Sequence, residues 1–254
     1  MDIDTGRLEE LHIVSTAAIL VIGNEILSGK VVDENGPFLA RELRALGVDL
    51  RRIETVPDEI PLIIDALARC RASARWVFTS GGIGPTHDDV TIAAVAQAFG
   101  RKVVADERIL SLLRDRYGDR MNAARHRLAE VPEGASVEWQ QGALFPVISM
   151  ENLVVLPGVP SLFREGFLSV RERYRTAPIF SRALYLSLGE GAIAEHLDAT
   201  VAEFANVSLG SYPRFDHADY RVKVTFDGRR EDEVRAAVVF LQARLPPGAV
   251  VREE

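Results

Sequence analysis

Cysteine is all but missing from this chain. A single residue, Cys70, among 254 rules out an internal disulfide and points to a reducing compartment, so a cytoplasmic protein is expected. Long apolar runs are missing too. None approaches the roughly 18 residues that a membrane-spanning helix needs. The opening stretch MDIDTGRLEELHIVS carries acids where a secretory signal would carry an apolar core, so residues 1–15 read as a short N-terminal extension. Positive charge is scarce: 30 basic residues against 37 acidic ones leave a net charge of −7. No basic stripe interleaved with aromatics appears, so neither nucleic acid nor a membrane is expected as a partner. An anionic ligand would have to be received by a local site, against the overall field. The histidines His12, His87, His126, His196 and His217 show no metal-ligand spacing. No Ser-His-Asp pattern and no nucleophile elbow occur, and there are no repeats.

What is present is alternation. TAAILVIG (16–23) is a short apolar run that fits a strand buried on both faces. NEILSGKVVDEN follows as a loop. Asn35 can cap a helix with Pro37 in its first turn; Leu39, Leu43 and Leu46 lie on one face, and Gly47 ends it. VDLRRIETV (48–56) reads as a strand, Asp58 as the cap of a helix carrying Ile60, Ile63, Ile64 and Leu67, and ARWVFTS (74–80) as the next strand. Ile92, Val95, Ala96 and Phe99 then form a stripe ending at Gly100. ALFPVISMENLVVLPG predicts a hairpin turning at Glu151-Asn152. Such alternation implies an α/β fold with a mostly parallel sheet covered on both faces, spanning 16–175. Past RTAPIFS (175–181) the texture changes. Strand 182–188, helix 190–204, strands 207–212 and 219–227, helix 230–244 and a short tail predict a small α+β domain over 176–254.

Ligands of parallel sheets sit outside the carboxyl ends of the strands. Loops beginning at Gly23, Val56 and Ser80 should therefore share one rim, with Pro157 and Gly158 of VVLPGVP as a fourth contributor. The densest of these loops is TSGGIGPTHDDVT (79–91). Gly81, Gly82 and Gly84 can serve a sharp strand-to-helix turn. Backbone N–H groups freed by such a turn, together with a helix start, also suit phosphate. It is neither a Walker A loop nor a dinucleotide fingerprint. Asp88 and Asp89 follow. One carboxylate can cap a helix, but two beside glycines exceed what capping needs, and a carboxylate beside phosphate is repulsive unless a cation lies between. Hard ions such as Mg²⁺ bind through one or two carboxylates plus substrate phosphates. The pair therefore predicts a divalent metal, and the metal predicts a phosphate ligand. Asp58, Glu59 and Glu25 lie on neighbouring loops, as helix-capping or loop acids or as metal ligand and general base. Asn24, Ser28 and Asn35 fit hydrogen bonding to a ligand or turn-making equally well.

TSGGIGPTHDDVT resembles the signature of the molybdopterin-binding domain of MoaB- and Mog-like cofactor-biosynthesis proteins and of CinA-like proteins. VPDEI (56–60) and VVLPGVP resemble companion motifs, and GNEILSGKVVDEN resembles the first loop of the CinA-like branch. The closer likeness is to the molybdopterin-binding-like domain of eukaryotic FAD synthases, in AVAQAFG (94–100), LGSYP (209–213) and ARLPPG (243–248). The resemblance spans residues 16–251. It implies a three-layer α/β/α domain holding a nucleotide or pterin phosphate with Asn24, Ser80, Gly81, Gly82, Gly84, Pro85, Thr86, Pro157 and Gly158. It carries an essential-acid role onto Asp58 and Asp89. It also implies a KH-like small domain, here without a basic GxxG loop, and a homo-oligomer.

Together these readings predict a pyrophosphatase that cleaves dinucleotides such as FAD or ADP-ribose. It would use Mg, Mn or Co held by Asp58, Asp88 and Asp89, with Glu25, Asp58 or Glu59 as base. A molybdopterin-binding or adenylyl-transferring protein, and a non-catalytic nucleotide-binding module, are the alternatives.

Overall fold

A computed structural model describes residues 15–139, 145–215 and 219–254. The extension expected over 1–15 lies, apart from Ser15, outside the described residues, as do His12 and His217. The chain divides into two compact units that meet at Thr176 and Ala177.

In the first unit the strands are β1 (Thr16–Ile22), β2 (Asp49–Val56), β3 (Trp76–Ser80), β4 (Val103–Ala105), β5 (Glu130–Pro132), β6 (Ser136–Glu138), β7 (Val147–Met150) and β8 (Leu153–Leu156). Six of them form one sheet in the order β2-β1-β3-β8-β7-β6, and β4 and β5 pair separately. Neighbours from β2 to β8 are parallel, and β7 and β6 add antiparallel edges. The β7–β8 hairpin turns at Glu151, whose φ is 51°.

Its helices are α1 (Asn24–Leu27), α2 (Asn35–Ala45), α3 (Ile60–Ser73), α4 (Thr91–Ala98), α5 (Glu107–Tyr117), α6 (Ala123–Arg127) and α7 (Pro160–Val170). Alternate residues of β1 feed two cores, because successive strand side chains point to opposite faces. Ala18, Leu20 and Ile22 pack with Ile63 and Leu67 of α3, Val95 of α4 and Ile109 of α5. Ala17, Ile19 and Val21 pack with Leu39 and Leu43 of α2 and Phe163 and Phe167 of α7. The result is the expected three-layer α/β/α arrangement. Burying each side chain of this size contributes about 1.5–3 kcal/mol.

Three local readings are corrected. NEIL, expected in a loop, forms one turn of helix. Asn35 does not cap α2 but is its first residue, and the Asp33 carboxylate accepts from the Asn35 and Gly36 N–H groups, each at 3.0 Å. Asp58 does not cap α3, where no side chain accepts from the first turn. Asn and Asp are all competent caps, so chain position in space decides among them.

The second unit contains β9 (Phe180–Leu186), α8 (Glu190–Glu203), β10 (Val207–Pro213), β11 (Val222–Gly228), α9 (Glu231–Gln242) and β12 (Val250–Glu253). Its sheet is antiparallel, ordered β10-β11-β9-β12, with a core that includes Leu184, Val224, Phe226, Ile193 and Leu241. The expected small α+β unit is present, in the split β-α-β arrangement rather than a KH-like one. The segment read as a tail is its fourth strand, because residues 250–253 pair with β9.

Candidate active site

The four parallel strands place the residues after Ile22, Val56, Ser80 and Leu156 on one rim, and backbone contacts stitch these loops together. Gly23 N donates to Val56 O at 3.1 Å, and Gly81 N to Leu156 O at 3.2 Å. Asn35, 5% exposed, donates from Nδ2 to Ser80 Oγ at 2.9 Å and to Gly158 O at 2.8 Å. Gly81 and Gly82 need to be glycine. Their φ values are 102° and 66°; a Cβ on Gly81 would lie 2.2 Å from Ile22 O, and one on Gly82 2.2 Å from Thr91 Oγ1. The buried Thr91 fixes the turn from below: its hydroxyl donates to Gly81 O and its N–H to Gly82 O, both at 2.9 Å.

The glycine turn does not open α4 directly. Pro85–Val90 intervene, and the first helical N–H, that of Thr91, is occupied by Gly82 O. The N–H groups of Gly82, Ile83 and Gly84 donate to nothing among the described residues, so the donors this turn offers come from the loop itself. The helix terminus does not contribute as the sequence suggests.

Neither aspartate of the motif caps α4. Asp89 Oδ2 accepts from the Thr86 N–H at 2.7 Å and from the Thr86 hydroxyl. Its carboxylate lies against Gly84, where a Cβ would come within 2.5 Å of Oδ2. Asp88 is exposed and lies 3.9 Å from His87 Nδ1, and His87 faces solvent. A hydrogen bond from Thr86 holds the Asp88 carboxyl below its ordinary range. Asp58 is partly buried and accepts from the Asn24 N–H at 2.8 Å. Burial chiefly, then the charges of Glu25, Asp88 and Asp89, push its carboxyl up, against that hydrogen bond. Glu25 folds back over Gly23, where a Cβ would meet its Oε1 at 2.6 Å. Ser28 Oγ donates to Glu25 O at 3.2 Å and closes the turn of α1. Glu59 is exposed at the start of α3. Among the described residues no three acids or histidines stand close enough to enclose an ion by themselves.

Glu25, Asp89, the glycine turn, Pro85, Pro157 and Gly158 border a cleft of about 850 Å³, a size typical of small-molecule sites. Its other wall is apolar, from Leu112, Leu113 and Tyr117 of α5 with Trp139, Phe145 and Leu162. Sequence reasoning assigned no element to residues 101–140 and missed this wall. The spacing of Ile109, Leu112, Leu113 and Arg116 held a helical signal. Cys70 is buried in α3, as packing requires.

Residues 18–175 match the family described as the probable molybdopterin binding domain. The chain belongs to this family. Residues 178–254 match the FAD synthase middle domain. Relatives of this molybdopterin-binding family member include a protein of Archaeoglobus fulgidus, 32% identical over 220 residues, covering 87% of this chain and 93% of the relative. The probable FAD synthase of Caenorhabditis elegans is 31% identical over 260 residues; the match covers 91% of this chain and 50% of that protein, so the chain spans about half its length. The CinA protein of Thermoplasma acidophilum, a crystal structure of unknown function, superposes with a TM-score of 0.59 at 26% identity over 63% of this chain and 98% of that one. No described helix is long and apolar enough to cross a membrane.

Proposed function

We propose that the first unit is a divalent-metal-dependent nucleotide pyrophosphatase acting on dinucleotides such as FAD or ADP-ribose. One observation carries this reading: Asp58, whose carboxyl is raised chiefly by burial and further by the charges of Glu25, Asp88 and Asp89, stands with them beside a glycine turn with unpaired N–H groups. Carboxylates at an anion-binding turn fit a hard cation. Because no three of them converge, Asp58, Asp88 and Asp89 would share Mg, Mn or Co with the phosphates of the ligand. When bound, the cation supplies charge neutralisation between carboxylate and phosphate and Lewis-acid polarisation of the phosphoryl group.

The remaining work falls to the chain. The Gly82, Ile83 and Gly84 N–H groups donate to a non-bridging phosphoryl oxygen as its charge grows. Glu25 or Asp58 takes the proton of the attacking water, and the raised Asp58 carboxyl is suited to holding it. Water oxygen bonds to phosphorus, the bridging P–O bond breaks, and FAD yields FMN and AMP. The apolar wall accepts a flat ring. The kinship with FAD synthases supports FAD as ligand. A homo-oligomer in a reducing cytoplasm belongs to the same reading.

The family match also favours a second reading, a protein that binds molybdopterin or transfers an adenylyl group to it. Incubation with FAD or ADP-ribose and each of Mg²⁺, Mn²⁺ and Co²⁺ should release mononucleotides, resolved by chromatography. Folded protein that releases none, but consumes ATP with molybdopterin, would move the assignment to the second reading. Binding without either turnover would leave a nucleotide-binding module.

A further inference from the structure

The stretch RDRYGDRMNAARHR (114–127) carries five arginines and two aspartates in a chain whose net charge is −7. It forms the end of α5, the 3₁₀ turn Gly118–Arg120 and α6. Three of these arginines are engaged. Arg114 pairs with Glu107 at 3.3 Å, Arg127 donates to Pro85 O, and Arg125 donates to Arg120 O. Arg116 and Arg120 form no ion pair among the described residues. Their guanidinium groups, with that of Arg125, gather on the ring of Tyr117 at 5.8, 5.9 and 4.4 Å. Tyr117 and Arg116 border the same cleft as the glycine turn and Asp89.

Arg108, near the other end of α5, pairs instead with Asp106 at 2.7 Å. Around Tyr117 three like charges share one ring, whose π face offsets only about 0.5–1 kcal/mol per cation. Asp115 also borders the cleft and makes no ion pair with them. An anion would relieve this crowding, and guanidinium forks match phosphate oxygens in pairs. The cleft is thus bordered both by the glycine turn with Glu25 and Asp89 and by the Arg116 guanidinium, with Arg120 beside it on the Tyr117 ring.

We infer that Arg116 and Arg120 form a second anion subsite, so that the cleft takes a nucleotide bearing a phosphate monoester in addition to its pyrophosphate. This rests on the pyrophosphatase reading for the glycine turn only. NADH and NADPH, which differ by one such phosphate, are the probes, titrated calorimetrically into the full chain with Mg²⁺. Wild type should bind NADPH about tenfold more tightly than NADH, a preference that weakens between about 50 and 300 mM salt. In Arg116→Gln/Arg120→Gln the affinity ratio should fall to about one, while Arg114→Gln, whose partner is Glu107, should keep the preference. Equal affinities in wild type, or a preference surviving in the double variant, would overturn the subsite and leave the pyrophosphatase reading standing. Folded wild type that binds neither nucleotide would overturn the subsite as well, while the pyrophosphatase reading stands or falls on mononucleotide release from FAD and ADP-ribose.

Discussion

The two units handle their acids in opposite ways. On α9 of the second unit, Glu231 meets Arg235 at 3.0 Å and Arg182 at 3.6 Å, and Asp232 and Glu233 meet Arg230 at 2.7 and 3.3 Å. Each charge there is answered at once, in solvent, where such pairs are worth about 0–1 kcal/mol. On the rim of the first unit, Glu25, Asp58 and Asp89 have no basic partner among the described residues, and Asp58 feels the others. The first arrangement dissipates charge, whereas the second accumulates it where a ligand can enter. Accumulation without a partner disfavours the fold, and that makes it informative about function.

The most severe way to break this contrast is Asp89→Asn. Asparagine keeps an oxygen for the Thr86 N–H and hydroxyl, so the metal-free melting temperature should barely move. Turnover should fall by orders of magnitude. The gain in nucleotide affinity on adding metal should shrink, and metal-free binding should hold or improve; calorimetry reads both. An unchanged metal enhancement would shift the ion to Asp88 or Asp58, or end the idea of a metal bridge.

Next comes Gly81→Ala. With φ at 102° and Ile22 O only 2.2 Å from the new methyl, backbone must move. A loss of about 2–4 kcal/mol in urea unfolding is expected. A variant as stable as wild type would contradict the described turn.

A smaller effect, of opposite sign, belongs to Asp58→Asn. The Asp58 carboxyl is raised from an ordinary 3.8, so above that value the unfolded chain ionises before the folded one. The folded state then binds more protons, and wild-type stability falls as pH rises through this window until Asp58 is charged in both states. The variant, spared that charge, should melt higher than wild type at neutral pH, and the gap should close toward pH 3.8. A gap that widens on acidification would reverse the sign of the interaction. Smallest of all is Asp232→Asn in the second unit. It should change stability by less than about 0.5 kcal/mol and leave turnover alone. A large effect there would erase the contrast between the units.

The legible parts of this molecule were those written locally. Apolar runs gave the parallel strands, and glycines beside acids marked the rim, because turn chemistry and charge need only a few adjacent residues. Asn35 shows where that stops. Asn35 and Asp58 both read as caps, and only the folded chain reveals that the Asp33 carboxylate takes the first helical N–H groups while Asn35 ties Ser80 to Gly158. The β12 strand was invisible for the same reason: four residues carry no periodicity, and pairing with β9 defines them. The apolar wall of the cleft joins Leu112, Trp139 and Phe145, brought together by the fold and by nothing in their immediate neighbours.

Cys70 offers a clock for the first unit. It is the chain's one thiol, sits fully buried in α3, and burial pushes it up to about 11. Near pH 8 only about a thousandth of it is thiolate, and none of it is reachable. An alkylating reagent should therefore label the protein only when the layer between α3 and the sheet parts. The rate of mass gain then reports the opening of that layer alone, undisturbed by the cysteine-free second unit. Adding a dinucleotide with metal should slow that clock in proportion to how far occupancy of the rim holds the layer shut.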